Sequence, residues 1–158
     1  MHERRLPRPA QRCAPLIDSL AGPSDVLWPS NRWPAMRFDR PLGVGAAGGH
    51  GPVRYRVEQY EPGTRVRFRF TAPRGFEGFH EFELIPVTEG ECLVRHSLVA
   101  RMGWPAALTF PLFYRPLHDA LIEDALDDAA RFAGSPVAAN RRWSRWVRVL
   151  RWAAKKAR

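Results

Sequence analysis

The chain has 158 residues, 25 Lys and Arg against 16 Asp and Glu, and a formal net charge of +9 at pH 7. Eight of the basic residues and none of the acidic ones fall between Pro136 and Arg158, so the first 135 residues are nearly neutral and the excess charge belongs to an appendage. With 45% hydrophobic residues and no apolar run near the ~18 residues of a membrane span, the totals exclude a disordered chain and a helical membrane protein. They predict one globular domain over residues 1–135 and a basic tail over 136–158.

In chain order, residues 2–7 read as a short edge strand ending at Pro7. Residues 9–21 read as a helix with Leu16, Ile17 and Leu20 on one face and Gly22-Pro23 as its stop. Residues 23–34 are loop. From Met36 the period changes to two, and Met36, Phe38, Leu42 and Val44 predict a strand. GVGAAGGHG, residues 43–51, reads as a flexible turn at a cavity mouth with His50 solvated. Its Gly43, Gly45 and Gly48 match G-x-G-x-x-G, but a strand rather than a helix follows, so the dinucleotide reading fails on context. Strands follow at 53–58 and 65–70, where Val66, Phe68 and Phe70 alternate with arginines. Two longer ones lie at 76–87 and 92–102, joined by a turn at Thr88–Glu91.

After Gly103 the period becomes 3.6. Pro111 and Pro116 predict irregular first turns, then a regular helix from about 115 to Gly134. Tyr114, Leu117, His118, Leu121, Ile122, Ala125, Ala129 and Phe132 share its apolar stripe, and Asp119, Glu123 and Asp127 lie opposite. A meander with one apolar face needs a cover, and this helix is the one element large enough to supply it. The fold class predicted is therefore α+β: a curved antiparallel sheet wrapped around a long C-terminal helix, enclosing volume the helix does not fill.

Three stretches carry a family likeness: ERRLPRPAQRCAPLIDSLAGP at the start, GFHEFELIPVTEGECLVRHSLVARM in the hairpin and RPLHDALIEDALDDAARFAG in the last core helix. With this element order, residues 3–135 resemble the START-like, SRPBCC-type superfamily, in the branch named for polyketide cyclases and dehydrases. The resemblance implies a helix-grip fold with a deep cavity. It also implies a lipid- or polyketide-like ligand in that cavity, or alternatively a cyclase- or dehydratase-type reaction there. Fold alone does not choose between them.

Alternation assigns the inward side chains. Phe68, Phe70, His80, Phe82, His96 and Leu98 from the strands, with Tyr114, Leu117, His118 and Leu121 from the helix, are expected to line the cavity and contact the ligand. His80 and His96 should be neighbours across a hairpin, and they are the catalytic candidates if the protein is an enzyme. The competing expectation for each histidine is an ordinary core residue satisfied by a neighbour. No carboxylate is expected inside and the histidines lack ligand spacing, so no metal is predicted; no cofactor is predicted either. No G-x-S-x-G or other nucleophile motif occurs.

The tail, read as a helix over 140–157, places Trp143, Trp146, Val147 and Leu150 on one face and Arg141, Arg145, Arg148, Arg151 and Lys155 opposite, together with Trp152. Three uses compete. Trp143, Trp146, Arg145, Arg148 and Arg151 could contact an anionic bilayer. The tryptophans could instead dock on the body. Nucleic acid is disfavoured, because the body carries no basic patch. No h-region follows the charged N-terminus, so no secretory signal is expected. Cys13 and Cys92 form no CxxC or ligand cluster and read as free thiols. The expected place is the cytoplasm, with a peripheral position at the membrane as an option.

Overall fold

The computed structural model describes residues 1–137 and 143–156, without the side chain of Lys155. Arg141, Arg142 and Arg158 of the basic tail lie outside the described residues. Seven strands form one antiparallel sheet: β1 (His2–Leu6), β2 (Arg37–Phe38), β3 (Ala47–His50), β4 (Val53–Glu61), β5 (Arg65–Ala72), β6 (Phe76–Thr88) and β7 (Glu91–Met102). Their spatial order is β1-β7-β6-β5-β4-β3-β2. The alternation that predicts these strands is the alternation of burial. In β5, Val66 and Phe68 are fully buried, while Arg67 and Arg69 pair across the outer face with Glu81 and Glu58. Register shifts at Arg54/Tyr55 and Val57/Gln59 mark irregularities in the β4–β5 pairing, the kind that sharpens local twist.

The helix α4 (Arg115–Phe132) lies over the inner face against β1 and β7, burying Leu121, Ile122, Ala125, Leu126 and Ala129. Ala125 and Ala129 keep that contact close. This is the expected α+β helix-grip arrangement, with the curved sheet wrapped around the long helix. The irregular approach to α4 is a single turn, α3 (Ala106–Thr109), followed by a π-helical turn over Phe110–Tyr114. Pro111 supplies no N–H to the regular ladder there.

Several local expectations need correction. The helix expected at 9–21 is two single turns, α1 (Ala10–Cys13) and α2 (Pro15–Asp18), because Pro15 lacks the N–H that would continue the first. The strand expected from Met36 is only Arg37–Phe38, for Asp39 turns to accept the Ala47 N–H at 3.0 Å. The glycine segment is not wholly a free turn, since residues 47–50 pair with β4, and Gly48 and Gly49 pair with β2 as well. Gly48 is required there: a Cβ would sit 1.9 Å from the Arg37 carbonyl oxygen. Asp127, expected on the wet face of α4, is buried against Arg4 at 2.8 Å. Cys13 and Cys92 are both buried and reduced, and burial pushes the Cys92 thiol up to about 12.

The terminal helix α5 (Arg145–Lys156) docks on the body. Val147 and Leu150 are buried. The Arg151 guanidinium lies 4.0 Å from the Trp33 ring centroid and 3.9 Å from that of Trp143, against both rings, which themselves meet edge-on at 5.6 Å. Both indoles donate to one oxygen of Asp124, Trp33 at 2.7 Å and Trp143 at 3.1 Å. Two of the five bilayer-contact candidates, Trp143 and Arg151, are thus committed to the body, while Trp146, Arg145 and Arg148 stay at the surface. The physical reason is that one carboxylate oxygen satisfies both indole N–H groups, while the Arg151 guanidinium lies over both rings and donates to the Arg32 carbonyl. Removing residues 137–158 should therefore lower the melting temperature by several degrees, read by thermal unfolding monitored by circular dichroism, because Asp124 and Trp33 lose their cover. An unchanged melting temperature would show that the helix is not held.

Candidate functional site

Between sheet and α4 lies a cavity of about 840 Å³. Eight of the ten side chains expected to line it do so: Phe70, His80, His96, Leu98, Tyr114, Leu117, His118 and Leu121. Phe68 and Phe82 do not. Both are fully buried in the packed core, Phe68 stacked on His80 and Phe82 edge-on to His96, so they support the wall from behind. Alternation gives a residue's face but not its depth in the packing. The sequence reading also missed lining residues. Trp28, Arg32 and Trp33 come from the loop before β2, Phe76 opens β6, Phe110 sits in the π turn, and Arg151 and Ala154 come from α5. His50, expected in solvent, lines the cavity with its Nδ1 3.0 Å from the Tyr55 hydroxyl and its ring 4.7 Å from Trp28. Treating residues 47–50 as a strand would have turned it inward.

The polar atoms on this wall are sparse and incompletely partnered. His80 pairs with Leu98 and His96 with Phe82 across the β6–β7 ladder, so the two imidazoles are diagonal neighbours. His96 Nε2 lies 3.4 Å from His80 Nδ1. Their other nitrogens, His80 Nε2 and His96 Nδ1, are buried without a protein partner, as is Nε2 of His118. His118 Nδ1 is 3.0 Å from Asp119 Oδ1, and that same oxygen faces His2 Nε2 at 3.2 Å. The His96 and His118 ring centroids are 5.0 Å apart. Among the described residues that line the cavity there is no carboxylate. Asp124 stands behind Arg32 and Trp33, which screen it.

Burial sets the protonation states. It pushes His80 and His96 well below the ordinary imidazole value and His50 down to about 3. His118 is also lowered by burial, though Asp119 opposes the shift. Asp119 is held low, first of all by the hydrogen bond from His118. The wall is therefore a row of neutral imidazoles in an apolar hollow, able to give and accept single hydrogen bonds. The four cavity histidines, His50, His80, His96 and His118, do not form a converging ligand set among the described residues. The grouping whose ligand atoms lie mutually within 4.8 Å, among the described residues, is His2, His118 and Asp119. There the Asp119 oxygen already serves both imidazoles as acceptor.

No family model matches the chain, and no curated protein does. Solved structures do. A solution structure of a Thermobifida fusca protein is 14% identical over 89% of this chain and 97% of that one, with a TM-score of 0.64. Norcoclaurine synthase from Thalictrum flavum, bound to a transition-state analogue, is 15% identical over 84% of this chain and 91% of its own, with a TM-score of 0.60. CalU16 from Micromonospora echinospora is 18% identical over 98% and 82%, with a TM-score of 0.55. The chain shares their helix-grip fold. On this body the terminal helix α5 adds Arg151 and Ala154 to the wall.

A pH dependence follows from the neutral histidines. Their folded values lie below about 6.5, the unfolded value. Above that pH neither state takes up a proton. Below it the unfolded chain binds protons that the folded chain excludes, so stability falls as the pH drops. Each buried histidine contributes a slope of up to about 1.4 kcal/mol per pH unit. The melting temperature should fall between pH 6.5 and 4.5, and His80→Phe should make that fall shallower. Identical slopes for the two proteins would show that His80 does not titrate as a buried group.

Proposed function

We propose that the protein binds a small hydrophobic molecule, lipid- or polyketide-like, in this cavity, with residues 1–135 as the ligand-binding body and, from the tail 136–158, the helix α5 closing one side of it. The observation that carries the reading is the combination of ~840 Å³ of space, walls of Phe, Leu and Trp, and three buried imidazole nitrogens without protein partners. Unpartnered buried polar atoms cost about 1–3 kcal/mol each, and a ligand hydroxyl or carbonyl removes that cost. The fold is consistent with this use. Norcoclaurine synthase, one of its structural neighbours, has been solved with dopamine and hydroxybenzaldehyde bound.

Native mass spectrometry of freshly purified protein, or uptake of the fluorophore 1-anilinonaphthalene-8-sulfonate, should reveal an occupant. Leu98→Trp and Leu121→Trp, which fill the space, should weaken uptake by about tenfold or more. His80→Gln with His96→Gln should change it by no more than about tenfold, the scale of one or two hydrogen bonds. No retained molecule and no uptake would end the binding proposal.

A peripheral position at an anionic bilayer has its own support, on a surface that differs in part from the face first expected. Trp104, Leu108, Leu112, Phe113 and Trp146 are 42% to 75% exposed. Trp146 donates its indole N–H to the Leu112 carbonyl at 2.8 Å and its ring meets Phe113, so the π turn and α5 form one apolar rim. Arg145 and Arg148 stand exposed on α5 beside it, the charge arrangement an anionic surface attracts. No helix among the described residues is long and apolar enough to cross a membrane. In sedimentation with phosphatidylcholine–phosphatidylserine vesicles at low salt, the intact protein should bind, and Leu112→Ser with Trp146→Ser should reduce binding by about tenfold or more. If the intact protein ignores these vesicles at low salt, the rim has another use.

A further inference from the structure

The three unpartnered imidazole nitrogens on the cavity wall are not equivalent. An ionised carboxylate only accepts hydrogen bonds, so Asp119 Oδ1 at 3.0 Å requires the proton of neutral His118 on Nδ1. Nε2 of His118 is then a bare lone pair, buried and without a protein partner, on a residue that lines the cavity. The His80–His96 contact constrains the rest. Whichever imidazole donates between His96 Nε2 and His80 Nδ1, one of the two remaining nitrogens, His80 Nε2 or His96 Nδ1, carries a proton and the other does not. The wall therefore holds one oriented base and, across the ladder, one hydrogen-bond donor.

We propose that His118 is a general base, positioned by Asp119, that removes a proton from the carbon next to the carbonyl of an apolar ligand in the cavity. The C–H bond breaks and its electron pair forms a C=C bond. The carbonyl π pair moves onto oxygen, where the donor nitrogen of the His80–His96 pair stabilises it. His118 holds the proton as an imidazolium against Asp119 and returns it to the same or a conjugated carbon, so the step needs no further reactant. This replaces His80 and His96 as the proton-abstracting residues with a neighbour that has a carboxylate behind it. Asp119 is a positioning residue, because it acts through His118.

The proposal rests on the cavity taking an apolar ligand, and the two can fail separately. Long-range nitrogen–proton correlation spectra of the intact protein should show His118 protonated at Nδ1 and bare at Nε2 at pH 7. An Nε2–H tautomer would overturn the base assignment whatever the cavity binds. The second arm uses 1-tetralone in D₂O, with α-proton exchange followed by NMR. Line broadening of the tetralone reports binding, and its absence counts against the cavity reading and this one together. With binding present, exchange should exceed that of free imidazole at equal concentration. It should fall about 10²-fold in His118→Gln and persist in EDTA. Exchange equal to free imidazole, an unaffected His118→Gln, or loss in EDTA would each overturn the proposal.

Asp119→Asn keeps an acceptor for Nδ1–H but removes the charge. It should move the midpoint of the pH–rate profile to lower pH, where a purely structural change would lower the rate at an unmoved midpoint. The titratable groups facing His118 are Asp119 on its own helix, His2 and the N-terminal amine from the β1 side, His96 and His80 from the sheet and His50 from β3.

Discussion

One buried carboxylate ties the molecule together. Asp124 sits on the inner side of α4, and its Oδ2 accepts from the indoles of Trp33 and Trp143, while Arg32 lies at 3.4 Å from Oδ1. Those partners come from the loop before β2 and from the chain beyond the core helix that carries Asp124. A carboxylate taken out of water is tolerated only when its oxygens are paired, so each of these segments is held in place by the need to satisfy the same group. Arg151 completes the arrangement by lying against both indoles, which meet each other edge-on. Because Trp33, Arg32 and Arg151 also line the cavity, the interaction that fixes α5 also shapes the cavity wall.

The cavity itself follows from geometry that no single residue dictates. A twisted sheet meeting a straight helix cannot keep contact along its whole length. Small residues in the middle of α4, Ala125 and Ala129, bring the helix close, and beyond Leu121 towards its N-terminus the aromatic and histidine side chains stand apart. The π turn over Phe110–Tyr114 widens the approach and turns Leu112 and Phe113 outward, which places an apolar rim beside the space. Volume, wall and rim therefore arise together from where the helix can and cannot pack.

Charge is distributed by the same logic. Arg67 and Arg69 on the outer sheet face are paired with Glu81 and Glu58, whereas the cavity-facing His50, His80 and His96 are left neutral by burial. A charged ligand would meet no compensating carboxylate on the described wall. Arg32 and Arg151 are the cations at its edge, and Asp124, Asp128 and the two indoles already engage them. That leaves recognition to shape and to the few imidazole nitrogens.

The sequence by itself determined the strand meander, the long covering helix and the inward face of His80, His96 and His118. Burial on one side imposes periods of two and 3.6 that can be read without coordinates. It could not give depth within a face, so Phe68 and Phe82 were indistinguishable from their cavity-lining neighbours. It could not show that residues 47–50 pair as a strand and turn His50 inward, because glycine carries no periodicity and Gly48 is chosen by the closeness of the Arg37 carbonyl. It left the use of the terminal helix open, for Trp143 and Arg151 suit a bilayer as well as a protein surface until Asp124 and Trp33 are seen beneath them. Asp119 read as a solvated helix residue; only packing brought His118 and His2 against it. Local pattern encodes which side of an element is dry, while distances between elements, and hence every polar pairing in the site, are decided by the tertiary structure.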